Sequence, residues 1–438
     1  MRIAHASDLH VTEGPRLADQ AETLSGMVDA MLEARPDLVL LTGDFYGRTV
    51  PHRSTPAERA VLFPAVVRLA GVAPVVVVYG NHDHDPDLDA LEHLGGEWPV
   101  IVVKTARVVE VPTPAGVAHV YAIPYPSKRW LLAGEDAPRG LAESQRLVGD
   151  RLGALVGLWA HRIRRRRAAA PAEVHVLAAH LQVAGSSTAG GEVLAGQEIE
   201  LTPAQLDVLP VDYGALGHLH LRQEPALRCW YPGSPWRNDY GERDPKGWHL
   251  VDVHPGAPWP LDQPLILRGL PNPDGGTTAT YGGSGERHYT TVRRMPTRCR
   301  DFLTLDWRWA ADHEDGAPRW ITRPSDADLT AAAGAEVRAR LVVPEQWVAG
   351  CPWADELGRL ALAGAHRVQA EKKIEPTLRV RAPEVAAAPN HREELLAYWR
   401  TLATQPDALE QQAALDLLAE MEAGDDEALT AETRAALA

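Results

Sequence analysis

Five short polar clusters in the first half of the chain carry side chains that could do chemistry together. They are Asp8-Leu9-His10, Gly43-Asp44, Gly80-Asn81-His82-Asp83, His180 and Gly217-His218-Leu219-His220. Carboxylate, amide oxygen and imidazole are hard-to-borderline metal ligands, and no cysteine takes part. In Asp-x-His and His-x-His, side chains two apart can point to one side of an extended segment. The set suits a pair of divalent metals, which sit roughly 3.5–4 Å apart around a bridging carboxylate and acidify a water that attacks phosphorus in line. Any one cluster alone says little, because a lone His after a strand is more often structural and a lone Gly-Asp is usually a turn. Five of them, each at the end of a strand-like run, form a specific pattern.

The runs that must position them are Ile3–Ser7, Leu38–Thr42, Val75–Tyr79, Val174–Ala179 and Tyr213–Leu216. Each is short and lacks strict alternation, as expected of strands in a sheet covered on both faces. Helical spacing appears over Leu17–Glu33, Pro56–Ala70 and Ala142–Arg167. Strands alternating with helices predict a layered α/β domain, and in such sheets sites assemble at the carboxyl ends of the strands. The glycines Gly43, Gly80 and Gly217 would permit tight turns beside the ligands.

The order Asp-x-His, Gly-Asp, Gly-Asn-His-Asp, His and Gly-His-x-His resembles the calcineurin-like metallophosphoesterase superfamily over roughly residues 1–253. The stretch Ala215–Gly241, with Tyr231-Pro232-Gly233-Ser234-Pro235 after the Gly-His-x-His, is similar to the SbcD nuclease branch, which supplies the nuclease subunit of a DNA-break repair complex. The resemblance implies an α/β metallophosphoesterase sandwich, with helices around central sheets, followed by a smaller α+β capping domain and C-terminal helices. It implies that Asp8, His10 and His220 hold a first metal, that Asp44 bridges, and that Asn81, His180 and His218 hold a second. His82 would stand by the scissile phosphate, stabilising charge or protonating the leaving oxygen. Asp83 would orient His82 through a hydrogen bond. Manganese is the metal implied. The ligand types alone also accommodate iron or zinc. An SbcC-type coiled-coil ATPase, DNA and a second copy of the chain are the implied partners. One position departs: many nucleases of this family have a His three residues after the bridging Asp, where this chain has Gly47. Arg48 or His52 could substitute as phosphate contacts, or simply lie on a solvated loop.

The rest of the chain sets limits on these expectations. The 438 residues predict two or three domains, and 45% hydrophobic with 24% charged residues excludes a disordered or fibrous protein. Expected boundaries are residues 1–254 for the nuclease domain and 255–286 for a Pro/Gly-rich linker. An α+β cap is expected over 287–388, with strand-like runs at Phe302–Trp309 and Val337–Val343. Acidic helices are expected over 389–438, where Ala414, Leu417, Leu418 and Met421 share one face suited to docking the ATPase partner. Cys229, Cys299 and Cys351 form no CxxC and read as reduced thiols of a cytoplasmic protein. No signal core and no run of roughly 18–20 apolar residues is visible, so no membrane role is expected. The net charge of -15 argues against a surface built throughout for nucleic acid. The run His161–Arg167 is a local exception that could grip a DNA backbone or merely end a helix. Trp230 and Trp236 could stack on a base, although core packing is the commoner role. The competing functions are a phosphoesterase acting on a nucleotide, cyclic nucleotide or phosphoprotein, and a non-catalytic scaffold, which the full set of ligand positions disfavours.

Overall fold

Two sheets carry the clusters. In the first, β1 (Arg2–Ala6), β2 (Leu38–Thr42), β3 (Val75–Val78) and β4 (Val100–Val103) run parallel, and β1 also pairs antiparallel with β13 (Gly247–Pro255). In the second, β6 (Gly116–Ile123), β7 (Val174–His180), β10 (Tyr213–Gly217) and β12 (Cys229–Tyr231) run parallel, with β5 (Arg107–Thr113) and β11 (Gln223–Ala226) antiparallel at the edges. A short pair, β8 (Gln182–Val183) and β9 (Glu200–Leu201), lies outside both. Register aligns the carboxyl ends: Ala6 lies opposite Leu41, Thr42 opposite Val78, and His180 opposite Gly217.

The structure is a computed structural model that describes residues 1–47, 54–83, 86–94, 96–126, 141–189, 199–255, 266–271, 277–281, 288–311, 317–376, 385, 387–402 and 405–422. Arg48 and His52 lie outside these residues.

The central strands β2, β3, β7 and β10 are buried along their whole length because both of their faces are covered. Ile3, Leu38, Leu40, Val76 and Val78 of the first sheet meet Val120, Ala122, Val176, Ala178 and Ala215 of the second. The alternate residues Ala4, Val39, Leu41, Val75 and Val77 pack on α1 (Leu17–Ala34) and α2 (Pro56–Ala70) through Leu24, Val28, Met31, Leu62 and Val66. Likewise Leu177, Ala179 and Leu216 pack on α3 (Leu141–Ala169) and α4 (Pro203–Asp207) through Leu152, Val156, Ile163 and Leu206. This helix–sheet–sheet–helix order is the expected α/β sandwich. Each fully buried aliphatic side chain contributes about 1.5–3 kcal/mol by leaving water. Helix α2 starts at a capping box in which Thr55 and Glu58 satisfy each other's backbone amides.

The stretch expected to be a linker is partly sheet. Its described residues form β14 (Ile266–Pro271) and β15 (Thr277–Tyr281), which pair with β16 (His288–Pro296) to extend the first sheet in the order β14-β15-β16-β13-β1-β2-β3-β4. The prolines and glycines that suggested a linker flank these strands, and at an edge a proline costs no ladder bond. Beyond them, β17 (Phe302–Ala310), β18 (Arg319–Thr322), β19 (Glu336–Pro344) and β20 (Arg367–Glu375) form a four-stranded sheet in the order β18-β17-β19-β20. With α5 (Asp326–Ala332) and α6 (Trp353–Leu362) they make the α+β segment, and α7 (His391–Thr401) and α8 (Ala408–Glu422) follow. The chain divides into two compact units, and the division does not follow the expected boundaries. One unit is Met1–Asp306, Arg323–Arg340 and Trp353–Glu371; the other is Trp307–Thr322, Leu341–Pro352 and Lys372–Ala438. Among the described residues no helix is long and apolar enough to cross a membrane.

One buried polar chain ties the two sheets together. Arg222 Nε donates to His249 Nε2 at 2.9 Å, so His249 Nδ1–H donates to the Tyr213 hydroxyl at 3.0 Å. That hydroxyl donates to His5 Nδ1 at 2.8 Å, and His5 Nε2–H donates to Thr42 Oγ1 at 2.8 Å. Both imidazoles must be neutral to keep this order. Burial pushes His5 down to about 3 and His249 well below its ordinary value. The folded pKa values are therefore depressed, the unfolded chain binds more protons below pH ~6.5, and stability is lost as pH falls through that point. Going from pH 7 to pH 5 should cost about 2 kcal/mol per histidine. Denaturant titrations at the two pH values should show this loss, and His5→Gln should remove about 2 kcal/mol of it. An unchanged pH dependence in that variant would show that His5 is not held neutral.

Candidate metal centre

The site forms where the strand ends meet in loops that ordinary backbone geometry disfavours. Asp8, His10, Asp44 and His218 have φ of 56, 44, 54 and 110°. Non-glycine residues in this region cost of order 1–3 kcal/mol each and persist only where surrounding contacts impose them. Here the contacts are visible. Asp8 N donates to Gly43 O at 3.0 Å, His10 N to Asp44 O at 2.9 Å, and His218 N to the Asp8 carboxylate at 3.1 and 3.2 Å. Gly43, at φ 90°, is required for space as well as angle, since a Cβ there would lie 2.2 Å from His180 Nδ1.

Asp44 is the centre of the arrangement. It is buried, and its carboxylate lies 3.6 Å from His10 Nε2, 3.9 Å from His82 Nε2 and 3.5 Å from His180 Nε2. Burial alone would raise its pKa, but the imidazoles of His180, His10 and His82 outweigh that and hold it below the usual carboxylate range. Burial would likewise lower His180, and the facing charge of Asp44 instead pushes it up to about 9. His10 is pushed down to about 4 by burial. His82 is also lowered, again chiefly by burial.

Whether the residues suit cations can be tested on their hydrogen-bonding capacity. His180 Nδ1 lies 2.7 Å from the Thr42 carbonyl, which can only accept, so Nδ1 carries a proton. In a neutral ring, Nε2 is then a lone pair facing Asn81 Oδ1 at 3.0 Å and Asp44 at 3.5 Å. With the Asp44 charge holding the ring's pKa at about 9, a proton on Nε2 links these groups without metal, and a cation could take that proton's place. On the other side, His220 Nδ1 lies 2.7 Å from Glu242 Oε1 and donates to it, which aims Nε2 at His10 Nε2, 2.9 Å away, where one of the two nitrogens carries a proton that a cation could replace. The ligand atoms of Asp8, His10 and His220 lie within 4.8 Å of one another, as do those of Asp44, His180 and His218, and those of His10, Asp44 and His82. Asn81 Oδ1 joins the second group, 3.1 Å from His218 Nδ1. The donor set of these groups fits divalent metal ions.

Asp83 is placed differently from the expectation. Its carboxylate accepts from Asp44 N at 2.9 Å, Phe45 N at 2.8 Å and Gly80 N at 2.8 Å, while His82 Nδ1 is buried without a hydrogen-bond partner among the described residues. Asp83 thus braces the Asp44 turn against the Asn81 turn and does not orient His82. Three backbone amides converge on a buried carboxylate more readily than a neighbouring ring that already has Asp44 in front of it. Burial and the Asp44 charge push its carboxyl up to about 7. Gly47 lines the same cavity, and a Cβ there would meet Thr12 Oγ1 at 2.0 Å and the His10 carbonyl at 2.9 Å, so a side chain at that position requires Thr12 and the adjoining backbone to shift.

Two neighbours carry no motif and escaped the sequence reading. Glu242 holds His220 and is itself paired with buried Lys246 at 2.7 Å. Its only sequence signal is a Glu–Lys spacing of four, which is common on any surface. Tyr125 packs its ring 5.6 Å from that of His218 and 6.2 Å from that of His180. Other expected candidates take structural roles. Trp230 and Trp236 are buried, and the Trp230 indole donates to the Tyr281 hydroxyl at 2.9 Å. In the basic run, Arg166 is held by Glu173 at 2.9 and 3.1 Å and Arg167 by Asp212 at 2.6 Å. That run precedes the amino end of β7, the opposite end from His180.

The chain belongs to the calcineurin-like phosphoesterase family, whose family model matches residues 1–222. That range ends two residues after His220 and so contains every ligand candidate described above. The chain is a metal-dependent hydrolase of that class. Among curated proteins it is similar to the SbcD subunit of the SbcCD nuclease of Bacillus subtilis (strain 168), 29% identical over 292 residues, covering 62% of this chain and 71% of that protein. The SbcD subunit of the SbcCD nuclease of Rhodobacter capsulatus is 29% identical over 302 residues, covering 62% and 72%.

Carboxylates that hold a metal-binding imidazole commonly govern affinity by 10–100-fold. Glu242→Ala should weaken divalent metal binding by about that factor in calorimetric titration, with Glu242→Gln in between. Wild-type affinity in Glu242→Ala would mean that His220 is oriented by something else.

Proposed function

We propose that the chain is a two-metal nuclease that hydrolyses DNA phosphodiesters as the nuclease subunit of an SbcC/SbcD-like complex for processing double-strand breaks. The observation that carries this is the shared, buried Asp44 between two groups of imidazole and oxygen ligands in the chain order expected of such nucleases. The similarity to the SbcD subunits of two SbcCD nucleases supports DNA as the substrate.

In this reading Asp8, His10 and His220 hold one cation, Asn81, His180 and His218 the other, and Asp44 both. Manganese is the proposed metal. The pair would supply Lewis acidity at phosphorus and an acidified water as nucleophile. The residues do the positioning. Thr42 O and Glu242 fix the outer nitrogens of His180 and His220, so that Nε2 of each faces inward. His82, whose backbone N–H donates to Asp44 Oδ1 at 2.9 Å, extends its ring into the cavity and would donate to a phosphate oxygen or the departing hydroxyl. Asp83 keeps the Asn81 and Asp44 turns in register. The phosphate-contact role expected for Arg48 or His52 remains part of the proposal.

An apolar groove within the second unit supports a partner. Val385, Leu395, Tyr398, Leu418 and Met421 line it, with Tyr398 49% and Met421 63% exposed. We assign it to the SbcC-type coiled-coil ATPase, with a second copy of the chain in the assembly and a cytoplasmic location.

Release of nucleotides from linear duplex DNA with added manganese tests the reading. Chelation should abolish it, and Asp44→Ala should lose activity and metal together. His82→Asn should lower kcat by about 10²–10⁴ while metal content stays at the wild-type level. Cleavage of a small phosphodiester without cleavage of any DNA would move the substrate assignment elsewhere in the family.

A further inference from the structure

The cavity over the metal centre has a volume of about 500 Å³. Its floor is His10, Asp44, Asn81, His82, His218 and His220. Its walls include the loop Thr12–Arg16, Asn238 and, from the first residue of β20, Arg367. Two arginines therefore face this space, and they are in different states. Arg16 is committed: its Nε and Nη2 lie 3.0 and 2.9 Å from Glu336 Oε2, its Nη1 donates to Asn238 O at 3.1 Å, and its guanidinium sits 4.4 Å over the Phe302 ring. Arg367 is exposed and has no hydrogen bond or ion pair among the described residues. Many other arginines are held by carboxylates, as Arg300 is by Asp19, Arg237 by Asp301 and Arg340 by Asp306. A guanidinium kept free where it lines a substrate cavity has its five donors available for a bidentate anion.

We propose that Arg367 is a substrate-binding residue that grips a non-scissile phosphate of the strand whose neighbouring phosphodiester lies over Asp44. This rests on the DNA reading above and goes beyond it, since it places a determinant of polymer over small-molecule substrates outside the residues matched by the family model. A phosphodiester that is part of a strand always has another phosphate next to it; a small diester does not. Arg367 acts on that second charge and leaves the chemistry at the first untouched. Glu13, on the same wall, disfavours unguided anion binding, so the guanidinium also defines where the charge must lie.

The test compares two substrates on the manganese-loaded chain: linear DNA, and bis(p-nitrophenyl) phosphate, which has a single phosphate. Arg367→Ala should raise KM for DNA about tenfold, and Arg367→Lys should recover part of that. The slope of log KM against log salt should fall by roughly 1, the loss of one phosphate contact. Hydrolysis of the small diester should stay within about twofold in kcat and KM. Wild-type KM and salt slope for DNA in Arg367→Ala overturn the proposal while leaving the nuclease reading intact. Equal losses on both substrates also overturn it, because they make Arg367 a support of the fold. A wild-type chain that turns over the small diester and no DNA defeats the nuclease reading, and this proposal with it.

Discussion

A buried carboxylate with three imidazoles around it is the constraint that the rest of the first unit satisfies. Asp44 is almost wholly out of water, where an unpaired charge is expensive. His180, His10 and His82 approach it from three different loops, and Asp83 cannot, because its own carboxylate turns away to collect backbone amides. Each approach requires something unusual: left-handed backbone at Asp8, His10 and Asp44, and a glycine beside His180. Strain of this kind is sustained by packing elsewhere, and the four-layer core supplies it. The strands behind the loops are fully buried on both faces, so the loop geometry rests on the least deformable part of the molecule.

The same constraint explains why parallel strands serve here. Parallel order brings the carboxyl ends of β1, β2, β3, β7 and β10 to one end of the sandwich, with register set to the residue. The polar chain from Arg222 through His249, Tyr213 and His5 to Thr42 fixes the two sheets against each other directly behind the site. Such a chain contributes little net stability, but a slip of one residue in either sheet would break the bonds that Tyr213 makes across to His5 and His249. It therefore acts as a register device close to Thr42, whose carbonyl orients His180.

How much was legible in the sequence differs by kind of information. The five strands and their polar ends were readable because buried strands are continuous apolar runs and ligand types are rare at their ends. The ligand atoms of Asp8, His10 and His220, and those of Asp44, His180 and His218, lie within 4.8 Å of one another, and their roles as metal ligands belong to the proposal. Asp83 was misread because adjacency in Gly-Asn-His-Asp suggested a bond to His82, whereas a tight turn sends neighbouring side chains in different directions. Glu242 was invisible because a carboxylate acting through His220 needs no fixed spacing from it. The stretch 255–286 was read as a linker because proline and glycine mark strand edges as well as loops. The split of the later residues into two units could not be read at all: β17, β19 and β20 each run from one unit into the other, and a strand carries no sequence mark where its surroundings change.

The net charge of -15 looks unsuited to a polyanionic substrate, and position resolves the conflict. Asp8 and Asp44 contribute two of those charges where cations would neutralise them. Other acidic groups, such as Glu173 and Asp212, are paired with the very arginines that looked like a DNA strip. That strip lies before the amino end of β7, the opposite end from His180. What matters for binding is the sign of charge on the walls of one cavity. There the imidazoles, the metals they would hold and the guanidinium of Arg367 oppose the wall carboxylate of Glu13. A chain can be acidic overall and still present a cationic cleft, and the cost of that arrangement is weak capture of DNA from solution. On the proposed nuclease reading, weak capture would suit a subunit whose substrate is delivered by a partner, because cleavage would then be confined to DNA the partner already holds.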